Sequence, residues 1–446
     1  MRQRYIFWFW IPLFASWWLM TAEGPLISAA INRLPNEVIM LAAMGIVTSL
    51  SITIESPIIN LLATSTALVR DHDSYVLVRR FTLHWCLALT VIAVLVAYTP
   101  LFDLIVYRLL DVPAEIAQWV QPGMKIMVFW SAAIGWRRFL QGIMIRHKQT
   151  RKVAYGTVIR LVASGGSVLL LALWGKWPGV VLGSVSLMAG VTAEAIYATI
   201  AARPLIRDKL APRTTASATP PKSALTYRSL FSFHLPLAAT SVLILLMQPM
   251  VTSSLSRLDQ PTISLAAWPI VFQIILMARA AAMALPEVII ALHEDQSTFV
   301  PLRRFSLTLA IATTLLMMAF VLTPLAAWYL FQVQDMSLVV GQLAQSSLIW
   351  FLFMPALTVV ISWLRGLLIQ SSHTRYLNVG MVINITITAL LLVLGVVQQW
   401  PGLLTAALAL NLASVGEIAY LLWRTQQTLP IGYTLFGTRR TQTVNL

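Results

Sequence analysis

Long apolar runs alternate along this chain with short polar turns. Twelve runs reach spanning length, at about 7–32, 38–68, 81–107, 115–145, 153–174, 178–201, 229–256, 263–292, 305–331, 340–370, 376–397 and 401–423. A bilayer core about 30 Å thick is crossed by about 20 helical residues, so each run predicts a transmembrane helix. The longer ones predict helices that tilt, kink or run past the bilayer. The fold class expected is an all-α polytopic membrane protein with 12 transmembrane helices. The first run follows Arg2 and Arg4, the outline of a secretion signal. A matching segment in mid-chain speaks against that reading.

The match is part of an internal repeat. At a shift of 224 residues, Pro12 meets Pro236, Pro25 meets Pro249, Arg33-Leu34 meets Arg257-Leu258, and Arg79-Arg80-Phe81 meets Arg303-Arg304-Phe305. Thr99-Pro100-Leu101 then meets Thr323-Pro324-Leu325, Asp111 meets Asp335, Gly142 meets Gly366 and Thr150-Arg151 meets Thr374-Arg375. One deletion moves the shift to 223, where Trp177-Pro178-Gly179 meets Trp400-Pro401-Gly402 and Glu194 meets Glu417. Six spans per half is an even number, so both halves enter the membrane the same way round, as parallel six-helix lobes. The lobes expected are 1–201 and 229–424, with a linker at 202–228 and a tail at 425–446. Its Ser, Thr and Pro mark the linker as a loop. Two such lobes can rock about a shared midplane cavity, which points to alternating access. A static duplicated scaffold is the alternative.

Composition narrows the class further. Hydrophobic residues make up 58% and charged residues 11%, and the mean hydropathy is +0.79. Soluble domains carry about 25% charged residues, so a soluble enzyme, a nucleic-acid-binding domain and a disordered chain are excluded. The net charge of +15 reads as topology and contact with anionic lipid. The N-terminus, even-numbered loops and tail hold 21 Lys and Arg. The opposite side holds four: Arg33, Arg108, Lys176 and Arg257. That asymmetry predicts a multi-pass protein of the inner membrane with both termini cytoplasmic. The single Cys86 excludes an internal disulfide, the six His show no HExxH spacing, and no Walker A loop is present. Neither cofactor nor metal is expected, nor a catalytic nucleophile–base set.

Ionisable groups in hydrocarbon need a partner, a wet cavity or a task. The acids inside spans are Glu23, Glu55, Glu194, Glu287 and Glu417; the bases are Lys125, Arg137, Arg138, Arg160, Arg279 and Arg365. Glu23 stands beside Gly24-Pro25, which should break the first helix and free backbone carbonyls. It reads as a proton or cation site, or else as a carboxylate bonded to a neighbouring helix. Glu55 and Arg279 are repeat-equivalent and could pair across the cleft as a gate, or pair separately inside each lobe. Arg279 and Glu287 are eight residues apart, which places them on one helix face two turns apart. Arg138, Arg279 and Arg365 suit phosphate or carboxylate, on a substrate or on lipid at the cytoplasmic rim. Arg160 reads as a span-end residue reaching the interface. Glu194 and Glu417 read as structural, and Asn32, Asn60, Asn378, Asn384 and Asn411 as packing between helices.

The two six-helix halves, the central linker and the mid-helix prolines resemble the MOP superfamily. That group includes the MATE exporters and the lipid-linked oligosaccharide flippases. Segments 248–251 (Gln-Pro-Met-Val) through Ser256-Arg257, Ile143-Met144-Ile145-Arg146-His147-Lys148, and Gly416-Glu417 resemble the progressive ankylosis (ANK) branch most. The resemblance implies a V-shaped, MATE-like pair of lobes around a central cavity. It also implies export of anions such as pyrophosphate, ATP or citrate, and Glu23 at the position of the N-lobe coupling carboxylate. The seventh span has no acid, which departs from C-lobe Na⁺ coupling.

The function expected is a secondary exporter for a phosphate- or carboxylate-bearing anion, with possible coupling to H⁺ or Na⁺. The candidate substrate or ion residues are Glu23, Glu55, Arg138, Arg279, Glu287 and Arg365. The alternatives are a cation-coupled multidrug antiporter and a flippase for a pyrophosphate-linked lipid. The expected partners are a small anionic solute and membrane lipids, with no nucleic acid, around a monomer.

Overall fold

Backbone groups in a bilayer must be satisfied within the chain, and continuous helices do this without an edge. The computed structural model describes residues 2–147, 149–210, 225–293, 296–371, 373 and 375–428, and among them it is all-helical. The first half contains α1 Gln3–Thr21, α2 Glu23–Ile31, α3 Glu37–Glu55, α4 Leu61–Leu68, α5 His72–Tyr98, α6 Leu101–Asp103, α7 Ala114–Ile126, α8 Trp130–Arg146, α9 Thr150–Trp174 and α10 Gly179–Lys209. The second half contains α11 Tyr227–Leu245, α12 Met247–Leu255, α13 Pro261–Met283, α14 Leu285–Leu292, α15 Gln296–Leu322, α16 Leu325–Trp328, α17 Leu338–Leu348, α18 Met354–Gln370, α19 Arg375–Val397 and α20 Gly402–Thr428.

The two sets run in register. Helices α1, α2, α5 and α8 have the same bounds as α11, α12, α15 and α18 after a shift of 224. Among the described residues, positive φ occurs at Asn36 and Gln260, Asp111 and Asp335, Gly175 and Gln399, again 224 apart. Pro178 and Pro401, which cap α10 and α20, are one residue closer. The single-residue difference is therefore confined to the turn holding Lys176.

Prolines set the breaks. Pro25 cannot donate to the Thr21 carbonyl and its ring crowds that carbonyl, and the helix breaks at Ala22, directly before Glu23. Pro249 does the same at Leu246. Pro286 breaks the α13–α14 rod at Ala284.

Among the described residues, ten stretches are apolar and long enough to cross a membrane, and 338–370 makes an eleventh, bent by 45°. The register mate of that bent segment, 114–146, was expected as the fourth span. It is divided into α7, a 3-10 turn at Met127–Phe129, and α8. It also carries Glu115, Lys125, Arg137, Arg138 and Arg146, so it is less apolar than the rest. Helix α10 runs on to Lys209 and so takes in 202–209, which the loop residues had assigned to the linker. Residues 211–224 and 429–446, the remainder of the expected linker and tail, lie outside the described residues. The outer faces of α5, α9, α15 and α19 expose Leu87, Val162, Leu170, Leu173, Leu316 and Leu390, the side chains a hydrocarbon solvent requires. The molecule is a multi-pass membrane protein.

The first helix of each half docks on the other half. Trp10 Nε1 in α1 donates to the Ala281 carbonyl at 3.0 Å, and the ring sets an edge against Phe305. The repeat-equivalent His234 in α11 has Nε2 3.0 Å from the Pro57 carbonyl and an edge against Phe81. Ile6 and Trp10 belong to the apolar cluster built by α14, α15 and α18.

Candidate functional site

A cavity of about 230 Å³ lies between the halves. Glu23, Gly24, Ser28, Thr48, Ser49, Trp130 and Arg160 line it from the first half; Gln248, Thr252, Trp268 and Gln273 line it from the second. Ser28 and Gln273 hydrogen-bond across it at 2.9 Å. Trp268 Nε1 donates to Gln248 Oε1 at 3.3 Å, while the Ser49 hydroxyl is buried without a partner.

Its charged lining residues are Glu23 and Arg160. The Pro25 break sets Glu23 on the first turn of α2, buried. Arg160 grips its carboxylate as a fork: Nη2 lies 2.5 Å and Nε 3.0 Å from Oε2. The guanidinium also lies 5.7 Å from the Trp130 ring and 4.0 Å from Glu194. Gly190 allows α10 this close, since a Cβ there would stand 3.1 Å from Glu23 Oε1 and from the Arg160 carbonyl.

Arg160 was expected at a span end. Because α9 begins at Thr150, Arg160 lies about 15 Å along it, deep enough that an ion pair replaces contact with the interface. The signal was present in the repeat, because Arg160 stands 224 before Asn384. Each half buries one carboxylate on α10 or α20, held by α8 or α18 and by α9 or α19. Glu194 takes Arg137, Gln141 at 3.0 Å and Arg160. Glu417 takes Arg365 Nη2 at 2.5 Å and Asn384 at 2.9 Å. Gln141 and Arg365 are register mates.

The other expected residues lie apart from the cavity wall. Glu55 is buried with Oε2 unpartnered, and the nearby Trp130 Nε1 is unpartnered too, so the two approach without completing a hydrogen bond. The charges around Glu55 are Arg137, Arg138 and Arg160. Arg138 Nε is likewise buried and unpartnered. Arg279 Nε donates to Thr358 Oγ1 at 2.8 Å, and the charges acting on Arg279 are Arg365 and Glu417. Among the described residues Glu55 and Arg279 make no ion pair; each keeps company in its own half. Arg279 and Glu287 lie on either side of the break at Ala284, the one on α13 and the other on α14. Glu287 is exposed and stands apart from the other candidates.

At the end of the bundle remote from the termini, the halves are joined by two matching clasps. Arg33 Nη2 donates to the Val333 carbonyl at 2.9 Å, and its Nε lies 3.9 Å from Asp335. Arg257 Nη2 donates to the Leu109 carbonyl at 2.7 Å, and its Nε lies 3.6 Å from Asp111. Both carbonyls close π-helical turns, at Leu104–Leu109 and Tyr329–Val333, where the helix leaves carbonyls without amide partners. At the end that carries the termini, α1 and α11 each cross onto the opposite half.

No family model and no curated protein matches the sequence. Solved structures do match in shape. The lipid II flippase MurJ in an inward closed conformation superposes with a TM-score of 0.71 at 11% identity, over 94% of this chain and 88% of that one. A multidrug resistance MATE family transporter of the MOP superfamily superposes in its inward-facing conformation with a TM-score of 0.69 at 12% identity, over 92% of this chain and 95% of that one. Another MATE family structure, outward-facing, gives 0.66 at 15% identity, over 98% and 97%. The chain has the MATE-like fold.

Proposed function

We propose that the chain is a secondary transporter of the inner membrane that works by alternating access. In this reading it moves a phosphate- or carboxylate-bearing anion outward, with both termini cytoplasmic. The observation that carries the reading is the Glu23–Arg160 fork on the wall of a cavity shared by both halves. Arg160 is the one cation among the cavity-lining residues, and Glu23 occupies it as an internal stand-in for substrate. An arriving oxyanion competes for the same fork geometry, and a proton on Glu23 releases the guanidinium to it. Proton and anion then bind and leave together, and the membrane potential, negative inside, drives the remaining negative charge outward.

The fork bears on the alternatives. A cation-coupled multidrug antiporter needs a free carboxylate, and Glu23 is already neutralised. A flippase for a pyrophosphate-linked lipid needs a lateral opening between the first and eighth spans, and here Trp10 and Ala281 bridge that seam. The likeness to MurJ keeps the flippase as the second reading, reached once the seam parts.

Proteoliposomes loaded with labelled pyrophosphate or citrate test the proposal. Efflux is expected, falling at least tenfold in Arg160→Gln, while Glu23→Gln keeps efflux and loses its dependence on pH. Absence of anion efflux together with ethidium efflux abolished by Glu23→Gln would overturn it in favour of the drug antiporter.

A further inference from the structure

The buried charges of the two halves do not balance alike. Among the described residues, the interior of the first half sets Glu23, Glu55 and Glu194 against Arg137, Arg138 and Arg160. The second half sets Glu417 against Arg279 and Arg365. Glu417 is already saturated, its Oε1 by Arg365 and its Oε2 by Asn384. Arg279 is left over. Its Nε is fixed by Thr358, whose hydroxyl in turn donates to the Met354 carbonyl at 2.8 Å. The two terminal nitrogens of Arg279 have no hydrogen-bond or ion-pair partner among the described residues. They are also not sealed in the protein interior, unlike the unpartnered nitrogens of Arg137 and Arg138. An uncompensated guanidinium inside a membrane protein is costly, and its end-on fork suits two oxygens of one oxyanion.

We infer that Arg279, positioned by Thr358, is a second anion-binding position in the second half, taking a phosphate or carboxylate group. It lies one helical turn beyond Leu276, which lines the cavity, so about 4.5 Å further toward the end that carries the termini. An anion held there stands next to the cavity without yet displacing Glu23. The inference rests on the transport reading for this staging role alone; the site itself is defined by binding.

The test is equilibrium titration of pyrophosphate, and separately citrate, into the full-length protein in phosphatidylcholine nanodiscs. The Glu23→Gln/Arg160→Gln background removes the cavity fork. One anion is expected to bind per chain in that background. Affinity should fall at least tenfold on adding Arg279→Gln, less on Arg279→Lys, and about threefold on Thr358→Val. The lysine variant keeps the charge and guards against a folding failure. Unchanged stoichiometry and affinity in Arg279→Gln would overturn the site. Adding phosphatidylglycerol separates the sources: competition with pyrophosphate identifies a lipid headgroup as occupant, and no competition identifies a free solute. Binding lost in Arg279→Gln but no anion efflux from the unmutated protein would sink the transport reading alone; anion efflux with binding unchanged in Arg279→Gln would sink this site alone.

Discussion

Arg137 and Glu194 meet where their side chains are 6% and 1% exposed. Removing one partner of such a pair strands the other, at a cost of about 3–5 kcal/mol. Arg137→Met should therefore lower the unfolding temperature in detergent sharply, and Arg137→Met/Glu194→Met should recover more than half of the loss. Asp71 is a residue of a different kind. It caps α5 from outside the bilayer, accepting from the Ser74 amide and hydroxyl at 2.9 and 2.7 Å, and these bonds hold its carboxyl below the ordinary range. A depressed value contributes stability above the unfolded pKa of about 3.9, lost as pH falls through the folded value. Asp71→Ala should cost about 1 kcal/mol at neutral pH and nothing at the acid end of a thermal-unfolding series. Glu23 was legible in the sequence, since a carboxylate beside Gly24-Pro25 announces a broken helix. Arg160 reads as a rim arginine by its place in the span, and three extra residues at the start of α9 bury it; its register with Asn384 was the one pointer inward.

At the scale of elements, α4 and α8 touch across Gly142. A Cβ there would stand 1.8 Å from Ser65 Oγ and 2.5 Å from the Leu62 carbonyl. The backbone oxygen cannot step aside as a side chain can, so Gly142→Ala should destabilise by about 1–3 kcal/mol, read as a lower unfolding temperature. Without hydrophobic pressure between helices in lipid, such close contacts carry the packing. The repeat had paired Gly142 with Gly366, so its importance was legible although its partner was not. Spacing fixes a shared face for Arg279 and Glu287 only on an unbroken helix, and Pro286 interrupts the rod between them.

For the whole molecule, the duplication was plain in the register of prolines, arginines and aspartates. The partners across the halves were not, because hydropathy carries no information on which helices meet. The clasps show this: Arg33 and Arg257 read as sparse topology markers, yet each hooks a π-helical turn of the opposite half. Their side chains are 46% and 31% exposed, and exposed pairs contribute about 0–1 kcal/mol each. Two such clasps hold this end together without locking it. Arg33→Ala/Arg257→Ala should raise maleimide labelling of a Thr48→Cys reporter from that face several-fold over the clasped protein. Either single change should have a smaller effect. Cys86 is buried and is replaced by Ser to clear the background.

The crossing of α1 and α11 reaches into assembly as well as packing. Trp10 and His234 make each half the seat for its sibling's leading arm, so neither half completes its own wall. Severed between 211 and 224 and made as two polypeptides in one cell, the fragments should trap one another and co-purify through a tag on either. Each fragment made alone should be degraded or recovered as aggregate.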